Sequence, residues 1–312
     1  MLGRRSLRTK TMQHLYAFEL NKDNSLSGIE SQLQKSCDKT TDLFLTLLTY
    51  LYEIGQYSLV DAGIKMAKYI KKEDEIINTQ LAAVPVLKNL FDHQLWMSRI
   101  KSEKINSYID HNTVKHLFFV LRDKTKYKEF ISKAEPNHED FKDILSYIIK
   151  KVMSKDKQLE GALEENFQNA DDDLFLLFHL IQKYIDGLKD DNPQIFIDSI
   201  KTWEDEQSFP KQLLRAYIQH EEEIEKHIHP NLKNWDVERI AVMDMVLMKM
   251  AVCELLYLPN VPVKVSINEY IDISKIYSTP KSKDFVNGVL DKTKKQLTDL
   301  GLIKKQGRGL MQ

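Results

Sequence analysis

Residues 243–258 read MDMVLMKMAVCELLYL, and this run decides the fold. It is too long for a strand of ordinary length, and its apolar residues fall on nearly every side of a helix of 3.6-residue pitch. A helix that is apolar all round has to be enclosed by other elements, so this one is predicted to be the centre of a helical bundle up to about Tyr257. Asp244, Lys249 and Glu254 interrupt it, which removes it as a bilayer span. Downstream, Pro259-Asn-Val-Pro262 breaks the helix, with Pro262 suited to the first turn of the next one. That helix carries Val263, Ile267, Ile271 and Ser274 on one stripe. A last helix, from about Ser282 to Leu297, buries Val286, Val289, Leu290, Thr293 and Leu297. Upstream, Asp236 is a natural N-cap and Trp235 can staple onto Ile240. Before that, Phe209–Ile228 reads as one helix with Leu213, Leu214, Tyr217 and Ile224 inward and a solvated Glu run outward.

The remainder is consistent with an all-α chain. Only 10 Gly and 8 Pro punctuate 312 residues, too few for the turns of a β-sandwich or barrel. Helical patterns are expected at Asp42–Gly55, Leu59–Lys71, Val86–Ser98, His116–Asp123, Phe141–Ser154 and Asp173–Leu188. A 42% hydrophobic and 29% charged composition belongs to a globular chain, and the length favours more than one domain. The net charge of −1 leaves polyanion affinity to local clusters. Two cysteines cannot build a disulfide framework, and no apolar segment follows the N-terminal arginines, so a cytoplasmic location is expected.

Residues 1–21, MLGRRSLRTKTMQHLYAFELN, form an amphipathic helix with Leu7, Thr11, His14, Leu15 and Phe18 inward. Arg5, Thr9, Gln13 and Tyr16 line another face, and Arg4, Arg5, Arg8 and Lys10 crowd its first turns without an acid. Cations there oppose the helix dipole by about 0.3–1 kcal/mol each, so solvation or an external polyanion is expected to compensate. The far end of the chain offers a second basic cluster: Phe285-Val-Asn-Gly-Val-Leu290 flanked by Lys281, Lys283, Lys292, Lys294 and Lys295. Gly288 suggests close approach of a backbone or ligand, Asn287 an amide for a base edge, and Phe285 a stacking face for an unpaired base. Taken alone, tight packing at Gly288 explains this run; taken with the N-terminal arginines, single-stranded RNA is the better ligand. No nucleophile elbow, Gly-rich phosphate loop or dinucleotide fingerprint occurs. His220, His227 and His229 among Glu221, Glu222, Glu223 and Glu225 lack metal-ligand spacing. The expectation is a non-enzyme without metal or cofactor.

The runs Asn234-Trp-Asp-Val-Glu-Arg-Ile-Ala241, Ala251-Val-Cys-Glu-Leu-Leu-Tyr-Leu258, Val261-Pro-Val-Lys-Val-Ser-Ile-Asn-Glu-Tyr-Ile271 and Lys283-Asp-Phe-Val-Asn-Gly-Val-Leu-Asp-Lys292 resemble the C-terminal half of the NusB antitermination family. Arg4-Arg-Ser-Leu-Arg8 with Gln13-His-Leu-Tyr16 resembles that family's arginine-rich first helix. The resemblance implies an all-α bundle of two subdomains that binds boxA-like single-stranded RNA together with the ribosomal small-subunit protein NusE, within a transcription elongation complex. It implies RNA contact by Arg4, Arg5, Arg8, Gln13 and Tyr16, with Lys10 in the same basic cluster, and by Lys283, Phe285 and Asn287. It places Asp244 where the family holds the ribosomal protein, the alternative being an ordinary helix carboxylate. Asn268 and Glu269, in an Ile-Asn-Glu motif, are read as capping and inter-helix bonding first. The expected organisation is a first helix at 1–24, an inserted helical region at 25–200, a NusB-like core at 201–300 and a flexible basic tail at 301–312. A helical adaptor without RNA binding, or the RNA-binding part of an rRNA methyltransferase system, are the competing readings; no methyl-donor loop supports the latter.

Overall fold

The computed structural model describes residues 3–22, 24–67, 77–167, 170–232 and 240–306. Every regular element among them is helical. In chain order these are α1 (Arg4–Leu20), α2 (Leu26–Ala67), α3 (Pro85–Asp92), α4 (Gln94–Ser102), α5 (His111–Arg122), α6 (Thr125–Ile131), α7 (His138–Tyr147) and α8 (Lys157–Glu164). They continue with α9 (Ala170–Asp186), α10 (Gln194–Glu206), α11 (Ser208–Gln219), α12 (Glu221–Ile228), α13 (Val242–Tyr257), α14 (Val263–Tyr277) and α15 (Ser282–Asp299). Two compact units divide the chain: Asp38–Trp203, and Leu2–Cys37 with Glu204–Gln312. The boundary falls inside α2 rather than before it, because the first turns of that helix belong with α1 and the C-terminal helices.

The unit Asp38–Trp203 is organised by α2, in which every residue from Thr40 to Leu51 is buried. Of its buried hydroxyls, Thr46 donates to the Asp42 carbonyl at 2.7 Å and Thr49 to the Leu45 carbonyl at 2.8 Å within the helix, and Thr40 donates to Asp173 of α9 at 2.6 Å. Two helices predicted as separate, at 42–55 and from 59 onward, are one continuous helix through Gly55 and Gln56. No proline or cap lies between them, and Gly55 instead lets α2 approach the turn at Gln80–Ala83; an added Cβ would sit 3.0 Å from the Leu81 carbonyl oxygen. Conversely, the helix predicted over Val86–Ser98 is cut at His93, whose extended backbone (φ −76°, ψ 125°) ends α3 and starts α4. Short helices are fixed by their caps. Asn137 and Asp140 form a capping box on α7 (3.1 and 3.0 Å). Asp110 accepts from Asn112 and Thr113 at the start of α5, which with the Thr113 hydroxyl holds its carboxyl below the ordinary range. Past α7 the chain widens into a π turn at Ile148–Val152.

In the second unit, α13 packs against α1, α11, α12, α14 and α15. Residues Val246–Leu255 are all buried, as the all-round apolar pattern requires. The predicted helix Phe209–Ile228 is two helices, parted at His220 (φ −118°, ψ 23°), whose ring stacks on Tyr257 at 4.1 Å. The expected cap at Asp236 and staple by Trp235 lie outside the described residues. No described helix is long and apolar enough to cross a membrane.

Three substitutions probe the first unit. Gly55→Ala should lower stability by about 1 kcal/mol or more in urea unfolding, the overpacking against Leu81 exceeding the helix-propensity gain. Gly63→Ala on the same helix, with open space around its Cβ position, should raise it by about 1 kcal/mol. Burial, with Glu103 adding repulsion, pushes the Asp42 carboxyl up to about 6. The folded chain therefore binds a proton more tightly than the unfolded chain, and this site loses stability as pH rises from about 4 to 6. Asp42→Asn should stabilise by about 1–2 kcal/mol at pH 7.5 and by nothing at pH 3.5, read from thermal melts at both values.

Candidate nucleic-acid interface

The basic first turns of α1 do not present a row of open cations. Arg4 donates to Glu206 at 2.7 Å and lies over the Phe209 ring at 5.4 Å. Arg5 donates to Asp272 at 2.7 Å and comes within 3.5 Å of Glu269. Arg8 is buried, 1% exposed, and binds Glu254 through Nε (2.9 Å) and Nη2 (2.6 Å). The compensation for cations at a helix N-terminus, expected from an external polyanion, is supplied by carboxylates of the chain itself. Arg8 and Lys10, both expected at the RNA, are buried instead, at 1% and 3% exposure, and offer RNA little surface. The pattern that failed here is spacing, since Arg8 falls one residue after Leu7 and three before Thr11, on the inward stripe.

Glu254 is the centre of that buried site. Besides Arg8 it accepts from the Ser266 hydroxyl (2.7 Å) and the Tyr270 hydroxyl (2.9 Å), both on α14. Burial would lower the Arg8 pKa, but the paired carboxylate carries it above its ordinary value. A second network surrounds Lys249, 4% exposed, whose ammonium contacts Glu19 (3.1 Å), Glu221 (2.8 Å) and Glu225 (2.5 Å). The Glu run of α12 is thus partly turned inward, where the sequence suggested a solvated face. A lone lysine in an apolar helix is the signal that identifies such a network, since its charge must be met.

Asp244 is likewise corrected. It is 5% exposed, and its two oxygens accept from Ser278 (2.6 Å) and Ser282 (2.7 Å), fastening the start of α13 to the α14–α15 junction. A carboxylate so placed and so bonded fits the alternative left open by the sequence, an ordinary helix carboxylate within the internal structure. Glu269 is drawn into the Arg5 pairing, an inter-helix contact as read from the sequence, whereas Asn268 is exposed.

What remains at the surface lies on two helices packed against α13. On α1, Arg5 is exposed, and Arg4, Gln13 and Tyr16 are half-buried. On α15, Lys283 is exposed, while Phe285 and Asn287 are half-buried. Gly288 is exposed with nothing within 4 Å of its Cβ position, so it serves no close helix packing. The segment after α15, expected to fray, is held as far as Gln306: Lys305 caps α13 by donating to the Glu254 and Leu258 carbonyls (2.8 and 3.0 Å). Burial lowers its pKa to about 8. Residues 307–312 lie outside the described residues.

Arg8→Met leaves Glu254 buried with only hydroxyl donors and should cost about 3–5 kcal/mol in urea unfolding, whereas Arg5→Gln, at an exposed pair, should cost under about 1 kcal/mol. Equal, small losses for both would show that the Arg8 pair is not structural.

Comparison with known proteins gives the same direction. A model of the NusB family matches residues 176–295. The transcription antitermination protein NusB of Chloroherpeton thalassium is 46% identical over 99 residues, 32% of this chain and 47% of that protein. Its counterpart in Salinibacter ruber is 45% identical over 103 residues, 33% of this chain and 64% of that protein. The chain thus spans about half to two thirds of the length of these two relatives. No solved structure matches the chain. The transcription antitermination protein NusB of Listeria innocua serovar 6a is 46% identical over 88 residues, 28% of this chain but 69% of that protein, and with most of so short a relative contained in it the chain belongs to the NusB family.

Proposed function

We propose that this protein is a non-catalytic, RNA-binding transcription antitermination factor acting in the cytoplasm. Its ligand is a boxA-like single strand, bound together with the ribosomal small-subunit protein NusE in a transcription elongation complex. The observation that carries this reading is the trio on α15: Lys283 in solvent, with Phe285 and Asn287 partly open beside it, in a chain related to antitermination proteins. Lysine attracts the phosphate, an aromatic face stacks on an unpaired base, and an amide reads its edge. Arg5, Gln13 and Tyr16 on α1 are the second contact set, and Arg4 contributes from its pair with Glu206.

The internal pairing of Arg4, Arg5 and Arg8 favours a second reading, a helical adaptor that binds protein and no RNA, because it removes much of the cationic field. Titration of labelled boxA-like and scrambled RNA, with and without NusE, separates the two. The RNA reading expects a preference for boxA-like RNA that strengthens with NusE; equal, weak binding of both strands would leave only the adaptor. Under the RNA reading, Phe285→Ala should weaken binding by about 1–3 kcal/mol with an unchanged salt slope. Lys283→Gln should lower the slope of log K against log salt by about one. Arg5→Gln should lower it by less, because Asp272 and Glu269 already neutralise that guanidinium.

A further inference from the structure

The unit Asp38–Trp203 carries a cleft of about 540 Å³ between the segment from the π turn to Lys155, α8 and α9. Buried Met153, Leu159, Leu163 and Leu174 line it, with half-buried Phe178 beside them. A closed apolar cavity of about 150 Å³ already holds a benzene ring, so a phenyl side chain entering from outside has room here. At the same cleft Phe175 of α9 is 86% exposed, the most exposed of the described large hydrophobic residues. Asp171, Leu174, Phe175 and Phe178 recur at helical spacing, so one stripe of α9 supplies a carboxylate, an apolar wall and a protruding ring together. A phenyl ring left this far in water beside an uncovered apolar cleft marks a contact surface.

The charges around the cleft fall into two unmatched sets. Asp156 is met by His116 and the Leu159 N–H, and Lys157 by Glu160. Lys150 and Lys155, both exposed on the 148–155 segment, have no carboxylate partner among the described residues. On α8 and α9, Glu160, Glu164 and Asp171 bring their carboxylate oxygens within 4.8 Å of one another. The hydrogen bond to Asp171, and repulsion from it, raise the Glu164 pKa. Three carboxylates against the one lysine, Lys157, leave an excess of two negative charges, equal and opposite to Lys150 and Lys155. The face therefore holds both halves of its own complement: a protruding ring and a hole, a basic segment and an acidic one. A patch that complements itself is what a two-fold contact between identical chains requires. A foreign partner would have to match all four features.

We propose that two copies of this chain associate through this face about a two-fold axis, Phe175 of each seated in the cleft of the other, and Lys150 and Lys155 of each set against Glu164 and Asp171 of the other. The dimer is independent of the RNA reading, since every residue in it lies within Asp38–Trp203. With one phenyl anchor per copy the contact belongs with small interfaces, below about 1,200 Å² in total, and a dissociation constant on the order of 10–100 µM is expected. The test is sedimentation equilibrium of the full chain, without RNA, at about 1 to 300 µM, where a reversible monomer–dimer equilibrium is expected. Phe175→Asp, at a position already in water, should weaken it at least tenfold. The double variants Lys150→Glu, Lys155→Glu and Glu164→Lys, Asp171→Lys, all at exposed positions, give the facing walls one sign and should each weaken self-association at least tenfold. Mixing these two variants should restore association, as a heterodimer, to within threefold of the unsubstituted chain. A chain monomeric over the whole range would overturn the dimer and leave the cleft to a different partner. A dimer indifferent to Phe175→Asp, or charge variants that do not recover on mixing, would overturn it by placing the contact on another surface.

Discussion

The carboxylate of Glu254 in the apolar centre of α13 is the constraint on which the second unit depends. A charge at 0% exposure is tolerated only when its lone pairs are met, and here Arg8, Ser266 and Tyr270 meet them from α1 and α14. The backbone carbonyl of the same residue receives Lys305, so the segment after α15 closes on the same point. Residues 8 and 305 are thereby tied to one position of the central helix. A buried site with this many obligatory partners admits one register of α1 against α13 and α14.

This arrangement changes how the basic first helix is read. Positive charge concentrated at a helix start is locally unfavourable, and RNA is one remedy. The chain supplies another, a carboxylate for each of the three arginines, at Glu206, Asp272 and Glu254. Affinity for a polyanion then rests on cations that keep their field, and Lys283 on α15 is better placed for that than Arg8. The arginine-rich signature of α1 is in part a signature of folding.

The all-helical class was legible because its signal is periodicity over long windows, and α13 shows it most clearly: a run apolar on every side has to be central. Element ends were less legible. Gly55 lies inside a helix and His93 at a break, and which of them interrupts depends on what packs nearby, the Leu81 carbonyl in one case. The accessible members of the candidate interface, Arg5 and Lys283 exposed and Phe285 half-buried, were recoverable from residue type and helical face. Arg8 and Asp244 were not, because their partners lie far away in sequence, 246 residues for Arg8 and Glu254, and 34 and 38 for Asp244 and its serines. Burial of a charge is decided by such distant partners.

The two buried networks of α13 also explain why α1 docks in one direction. Near its start α1 offers a cation, Arg8, to the anion Glu254; near its end it offers an anion, Glu19, to the cation Lys249. The order along the helices is opposed, position 8 meeting 254 and position 19 meeting 249, so the two helices run in opposite senses where they cross. Reversing α1 on the same surface would bring Arg8 to Lys249 and Glu19 to Glu254, placing like charges together where little water reaches. Apolar contacts of Leu7, Met12 and Leu15 drive the docking but are indifferent to polarity, being spread along the stripe. The charges discriminate by making the wrong orientation unfavourable more than by strengthening the right one. That assigns Glu19 and Lys249 a part in specifying the fold which neither the acidic run of α12 nor the basic start of α1 suggests when read alone.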